Sequence, residues 1–88
     1  MRESTIEKYL VERVKAHGGL CLKFVSPGRR GVPDRICLFP FGEMYFVETK
    51  APKKGATPEQ QREHIRLFEL GFTTHVISDV SQIDALLP

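Results

Sequence analysis

Residues 33–50 constrain the fold more than any other stretch, because two short apolar runs there flank a single turn signal at Pro40-Phe41-Gly42. Strand side chains alternate between the two faces of a sheet, so each run predicts a strand with one apolar column that ends in charged residues. A hairpin closed at this turn pairs residues outward until Asp34 stands opposite Glu48. The stretch therefore predicts two antiparallel strands with two carboxylates at their open end.

Asp34, Glu48 and Lys50 are the candidate site residues of this hairpin. Directly opposed residues have Cβ atoms about 4.5 to 5.5 Å apart, which lets two carboxylates share one divalent cation. Without a cation or a proton, the two acids would repel each other at the end of an apolar column. Lys50 lies two residues after Glu48 and points into the same space. The spacing alone leaves open an ion-paired strand end without chemistry.

The length, composition and net charge of the chain limit the class of protein to which it can belong. The chain has 88 residues, of which 41% are hydrophobic, and this predicts one domain over residues 1–88 with a modest core. Its net charge is only +2, so the distribution of charge says more about partners than the sum. Arg29 and Arg30 precede the hairpin, and Lys53 and Lys54 follow it. Basic residues that suit phosphate oxygens therefore flank the candidate site.

Cysteine usage and hydropathy predict a soluble, cytoplasmic protein. Cys21 and Cys37 lie in apolar runs without metal-binding or redox-motif spacing, which indicates buried thiols in a reducing compartment and leaves a disulfide between them open. The N-terminus lacks a secretory signal, and no apolar run reaches membrane-spanning length. The three histidines are not spaced in the sequence like the ligands of a metal motif and are interpreted as surface or packed residues: His17, His64 and His75.

The remaining patterns predict helices on both sides of a four-stranded sheet. Ser4 and Glu7 have the spacing of a capping box before an apolar stripe, and Thr57 and Gln60 repeat that spacing before a second one. Glu7 and Gln60 thus each have a capping interpretation beside a role at the site. A helix between the last two strands makes them parallel. The predicted elements are helices at about 5–16, 57–70 and 80–87 and strands at about 20–25, 34–39, 44–50 and 72–78.

These motifs resemble those of the PD-(D/E)XK nuclease superfamily. The resemblance is carried by Pro33-Asp34 followed by Glu48-Thr49-Lys50, in the element order αβββαβ. The longer run Arg30-Gly31-Val32-Pro33-Asp34-Arg35, with Thr57-Pro58-Glu59-Gln60 after it, is similar to the VRR-NUC family of virus-type replication-repair nucleases. The resemblance covers nearly the whole chain. It implies an α/β, restriction-endonuclease-like fold with a mixed four-stranded sheet, to which this chain adds a short C-terminal helix.

The resemblance also implies a role for each matching position. Lys50 would orient or activate the attacking water and offset charge on the scissile phosphate. Gln60 matches a glutamine of the family's second-helix motif and is a further candidate catalytic residue. Hard oxygen ligands suit Mg²⁺ or Mn²⁺, and the chain has no Cys/His cluster for zinc. The implied metal ligands are Asp34, Glu48, the backbone carbonyl of Thr49 and, as a supporting acid on the first helix, Glu7.

The implied activity is metal-dependent endonucleolytic hydrolysis of DNA. Minimal members of the superfamily resemble structure-selective resolvases, so we expect a homodimer that cuts Holliday (four-way) junctions in the cytoplasm of a bacterial or phage-infected cell. Phe39, Phe41 and Phe72 are the candidate interface residues. Two alternatives stay open: a non-catalytic DNA-binding or assembly module on a nuclease fold, and a nuclease acting on flap, nicked or linear DNA. The expected DNA-binding residues are Arg29, Arg30, Lys53 and Lys54.

Overall fold

A computed structural model describes residues 1–87 as a mixed four-stranded sheet flanked by helices. The elements are α1 (Glu3–Ala16), β1 (Leu20–Lys23), β2 (Arg35–Leu38), β3 (Met44–Thr49), α2 (Pro58–Glu69), β4 (Thr74–Ile77) and α3 (Val80–Leu86). Along the sheet the strands run β1, β2, β3, β4, with antiparallel pairs except for the parallel pair β3–β4. The predicted element order is confirmed. None of the helices within residues 1–87 is both long and apolar enough to cross a bilayer.

The register of the β2–β3 hairpin is the one that the turn predicts. Arg35 stands opposite Val47, and the pairing continues to the turn in the same register. One residue outward from Arg35, the same register brings Asp34 opposite Glu48. The strands are one or two residues shorter than predicted at several ends, and β2 begins just after Asp34. This acid therefore belongs to the loop that enters the strand.

The hydrophobic core lies between the sheet and the helix pair α1 and α3. The apolar stripe of α1 repeats every three to four residues, so one side of the helix packs on the sheet. Each aliphatic side chain removed from water in this way contributes about 1.5–3 kcal/mol to folding. The buried members are Ile6, Leu10, Val14, Cys37, Val47, Ile77, Ile83 and Leu87.

Helix α2 covers the opposite face of the sheet only in part. The sequence predicted helices on both sides of the sheet, and α2 does lie on this side, with Gln60 and His64 against Glu48. Its apolar residues Ile65 and Phe68, however, are exposed. The buried residue of α2 is Glu63, because the helix turns a polar side inward. Large apolar side chains are left exposed: Ile65, Phe68 and Leu70 on or next to α2, and Leu20 and Leu22 on β1.

The two predicted helix caps have different outcomes. Helix α1 begins at Glu3 and has no side-chain cap, so the capping box predicted for Ser4 and Glu7 is wrong. The capping box of α2 is confirmed. The Gln60 N–H donates to the Thr57 hydroxyl oxygen at 3.2 Å, and the Thr57 N–H donates to the Gln60 side-chain oxygen at 2.9 Å.

The two cysteines stand opposite each other on β1 and β2. Cys37 is buried and Cys21 is half-buried, and both are free thiols with their sulfur atoms 3.8 Å apart. Burial of Cys37 agrees with its interpretation as a small apolar residue.

Candidate active site

Two carboxylates meet at the open end of the β2–β3 hairpin. Glu48 lies near the end of β3, and its side chain points to the α2 face with only 2% of the residue exposed. Asp34 precedes β2, and its Oδ2 accepts hydrogen bonds from the backbone N–H and the hydroxyl of Thr49, each at 3.0 Å. These bonds fix Asp34 at the end of β3, close enough for its charge to act on Glu48.

The protonation of Glu48 is strongly perturbed. Burial, with a further contribution from the Asp34 carboxylate, raises the pKa of Glu48 to about 8. Lys50 opposes the rise, and its Nζ lies 3.7 Å from Glu48 Oε2. Two adjacent carboxylates in a poorly solvated place favour either a bound proton or a bound cation. A shift with these causes is typical of a functional site.

Helix α2 presents two nitrogen atoms to the same carboxylate. Gln60 Nε2 donates to Glu48 Oε2 at 3.2 Å while the other end of its amide caps the helix. Capping and contact with the site are therefore not alternatives for Gln60. His64 lies one turn later with its Nε2 3.9 Å from Glu48 Oε1. Burial lowers the pKa of His64, which favours the neutral imidazole.

Glu7 has a partner on the other side of the sheet. Its Oε2 accepts a hydrogen bond from Arg35 Nε at 2.9 Å, and both side chains are partly buried. Arg35 directly follows Asp34, and successive strand residues point to opposite faces. The structure thus places Glu7 in an ion pair on the α1 face, whereas the Glu48 side chain points to the α2 face.

The basic loop between β1 and β2 is attached to α2. Arg29 forms an ion pair with Glu63 and holds the pKa of that carboxyl below its usual range. Gly31 has a φ of +78°, and a Cβ at this position would lie 2.9 Å from the carbonyl oxygen of Glu59. Glycine, which has no Cβ, can adopt a positive φ and lie this close to another segment of backbone without strain. The roles of Glu63 and Gly31 could not be predicted from the sequence, because these contacts join distant segments.

The other predicted DNA-binding residues lie on the surface. Arg30, Lys53 and Lys54 are exposed near the two segments that lead into and out of the hairpin. The Arg29 guanidinium is engaged by Glu63 and serves to anchor the loop.

The chain is similar along its whole length to known proteins. It is 51% identical over 88 residues to "Putative nuclease p44" of Acyrthosiphon pisum secondary endosymbiont phage 1, a match that spans 100% of this chain and 94% of that protein. A solved structure described as a VRR_NUC domain superposes with a TM-score of 0.89 at 35% identity, covering 98% of this chain and 95% of the other. The chain belongs to the VRR-NUC family. No protein-family profile matches the sequence.

Membership of the VRR-NUC family agrees with the predicted restriction-endonuclease-like α/β fold. The residues that match the VRR-NUC motifs lie at the adjoining ends of two neighbouring strands, β2 and β3, and on α2. Asp34, Glu48 and Lys50 come from the hairpin, and Gln60 comes from the first turn of the helix.

The VRR-NUC resemblance implies a divalent cation, and the residues at this site fit one. Glu48 Oε1 is buried without a hydrogen-bond partner, and the Asp34 carboxylate lies beside it. Carboxylate oxygens are ligands that Mg²⁺ and Mn²⁺ prefer. Within residues 1–87, no three His, Cys, Asp or Glu side chains form a metal-binding group by themselves. Further ligands would be the Thr49 carbonyl, water or phosphate oxygens, as is common for Mg²⁺.

Proposed function

We propose that this VRR-NUC protein is a DNA endonuclease that depends on Mg²⁺ or Mn²⁺. The observation that carries the proposal is the buried carboxylate of Glu48, which has a pKa of about 8 and one oxygen without a partner. A simple ion pair with Lys50 gives no reason for a second acid, Asp34, at the same place, because the second charge raises the cost of ionising the first. A divalent cation gives that reason. The name of the phage relative supports nuclease chemistry.

In this proposal the chain's own residues bind the cation and stabilise charge. Asp34, Glu48 and the Thr49 carbonyl would hold the cation. When bound, the cation supplies Lewis-acid polarisation of the phosphate and lowers the pKa of a coordinated water. Lys50 is kept beside Glu48 by the 3.7 Å contact, so its ammonium group can orient the attacking water and offset negative charge that develops on the phosphate. Gln60 holds the Glu48 carboxylate in place.

Glu7 supports this site indirectly. Its ion pair with Arg35 restrains the first residue of β2, immediately after Asp34. Glu7 would then act on the position of Asp34, without binding the cation itself.

DNA would approach along the exposed basic residues that flank the hairpin. Arg30, Lys53 and Lys54 can pair with backbone phosphates without disturbing another contact of the fold, because they are exposed. Such contacts carry no sequence information and make binding weaker at high salt. We therefore expect recognition of DNA shape.

We further propose that the substrate is a four-way junction and that the active form is a homodimer, in the cytoplasm of a bacterial or phage-infected cell. The α2 apolar surface (Ile65, Phe68 and Phe72) is exposed, with values of 61% and 69% for the first two. A two-fold contact there would cover this apolar surface in both copies. It would also place the two active sites against symmetry-related DNA strands of the junction. Of the other candidates, Phe39 packs against the core and Phe41 lies exposed at the turn.

Magnesium and manganese titrations on labelled four-way, flap, nicked and linear DNAs test these proposals. Cleavage should require the cation and should be lost in E48Q and in K50A, while both variants still fold and bind the junction. Lys15→Ala, at an exposed position on α1, is the matched control and should cut like the unmodified protein.

Each contrary outcome removes a different part of the proposal. Undiminished cleavage by E48Q or K50A removes the site. Binding of DNA without cleavage at any cation concentration favours a non-catalytic module. Cleavage of linear DNA as fast as the junction, by a protein that sediments as a monomer, removes the junction and homodimer proposals only.

A further inference from the structure

Two buried polar atoms face each other in the candidate site without a partner. Glu48 Oε1 and His64 Nε2 are both removed from water and form no hydrogen bond. They lie 3.9 Å apart, which is longer than a hydrogen bond. Nearly all buried polar groups in native proteins are hydrogen-bonded, so this pair requires an explanation.

Because of helix geometry, one side-chain nitrogen of α2 faces each oxygen of the Glu48 carboxylate. Gln60 and His64 are four residues apart, so they lie on the same side of the helix, one turn from each other. Gln60 Nε2 donates to Oε2 at 3.2 Å, and His64 Nε2 faces Oε1. The His64 side chain is only 13% exposed, so bulk water has little access to this contact.

We infer that His64 is a positioning residue whose imidazole donates a hydrogen bond from Nε2 to Oε1 of Glu48 when the site holds its cation. The inference rests on the proposed function and adds His64, which is not among the motif residues named above. A small rotation of either side chain closes the 3.9 Å gap. The other lone pair of Oε1 stays available as a ligand. Metal-binding carboxylates commonly have such supporting hydrogen bonds.

Two substitutions separate this role from simple packing. His64→Leu introduces an apolar side chain of similar size and removes the hydrogen-bond donor. His64→Gln keeps an N–H group that can reach the same oxygen and does not titrate. His75→Leu is the matched control, because His75 is also half-buried but contacts Tyr45 on the α1 face.

The experiment is calorimetric titration of Mn²⁺ into the full chain without DNA, with junction cleavage as a function of Mn²⁺ concentration as the second readout. We expect H64L to weaken Mn²⁺ binding and to slow cleavage by about 10- to 100-fold each, as for other residues that support metal ligands. H64Q should retain most of both, and H75L should match the unmodified protein. Thermal unfolding establishes that each variant is folded.

The inference is overturned if H64L binds Mn²⁺ and cleaves like the unmodified protein, or if H64Q is impaired as much as H64L. If H64L does not fold, H64N replaces it with the same expectations, because the shorter amide cannot reach Oε1. Failure of the unmodified protein to bind Mn²⁺ or to cleave any DNA would instead overturn the proposed function.

Discussion

Thr49 donates two hydrogen bonds to one oxygen of Asp34, from its backbone N–H and from its hydroxyl, each 3.0 Å long. Asp34 lies just outside β2, so the ladder of the hairpin does not restrain its side chain. Hydrogen bonds to an ionised acceptor are stronger than neutral ones. The strand that carries Glu48 therefore also positions the other acid of the site.

Thr49→Val tests this positioning, because valine keeps the shape of the side chain, the backbone N–H and the carbonyl but lacks the hydroxyl. We expect the free energy of unfolding in urea to fall by about 1.5–3 kcal/mol, the usual value of a hydrogen bond to a charged group. Cleavage should slow, since Asp34 loses one of its two anchors. Thr49→Ser keeps the hydroxyl and is the control. Equal stability and cleavage for T49V and the unmodified protein would mean that the hydroxyl bond is dispensable.

The raised pKa of Glu48 makes stability depend on pH. A glutamate in the unfolded chain titrates near 4.5, and Glu48 in the folded chain titrates at about 8. Between these values the unfolded state has released the proton and the folded state has kept it, so stability falls as pH rises. Without divalent cations, we expect Glu48 to contribute a loss on the order of a few kcal/mol across this window. Urea denaturation from pH 4 to 9 measures this loss of stability, and the difference between the unmodified protein and E48Q gives the part that is due to Glu48.

A divalent cation should reverse this loss, because binding favours the ionised carboxylate. Mn²⁺ should therefore raise the thermal midpoint of the unmodified protein more at pH 8 than at pH 6, and it should have little effect on E48Q. Parallel stability curves for the two proteins across the whole pH range would contradict the raised pKa.

Gly31→Ala should disturb the loop that leads into Asp34. Its φ of +78° is strained for alanine, and the new methyl group would meet the Glu59 carbonyl oxygen at 2.9 Å. We expect a loss of about 1–3 kcal/mol in the free energy of unfolding and slower cleavage. Gly28 is the matched control in the same loop, because a Cβ there has no heavy atom within 4 Å. Equal thermal midpoints for G31A and G28A would show that the loop relaxes without cost.

Glu7→Gln distinguishes an ion pair from a metal ligand. The Glu7–Arg35 pair lies on the α1 face and restrains Asp34 only indirectly, so we expect a loss of stability of about 1 kcal/mol and a cleavage rate that falls far less than in E48Q. A double-mutant cycle with Arg35→Gln measures the coupling of the pair. Loss of cleavage as severe as in E48Q, with unchanged stability, would place Glu7 among the metal ligands, as the family motif implies.

The hairpin could be predicted from the sequence because two local rules determine it. One turn signal sets which residues oppose each other, and the period of two sets which face each side chain takes. These rules suffice to bring Asp34 and Glu48 together. The position of Gln60 could also be predicted from a local rule, since the capping box fixes this residue in the first turn of α2.

The orientation of α2 could not be predicted in this way. Helical periodicity identifies an apolar side and a polar side, and the usual expectation is that the apolar side packs inward. Here contacts between distant segments decide: Arg29 pairs with Glu63, and Gln60 and His64 turn toward Glu48. No local sequence pattern predicts such pairs. The same contacts leave the apolar residues of the helix exposed.

This exposed apolar side of α2 gives the last prediction. Phe68→Glu places a charge within the α2 apolar surface and should convert the proposed homodimer to a monomer in sedimentation velocity. Its circular dichroism spectrum should be unchanged, and junction cleavage should be lost. Phe41→Glu, at the exposed turn, should remain a dimer. The reverse pattern would move the interface to the turn. A monomeric unmodified protein that still cuts four-way junctions would show that one copy of the chain is sufficient.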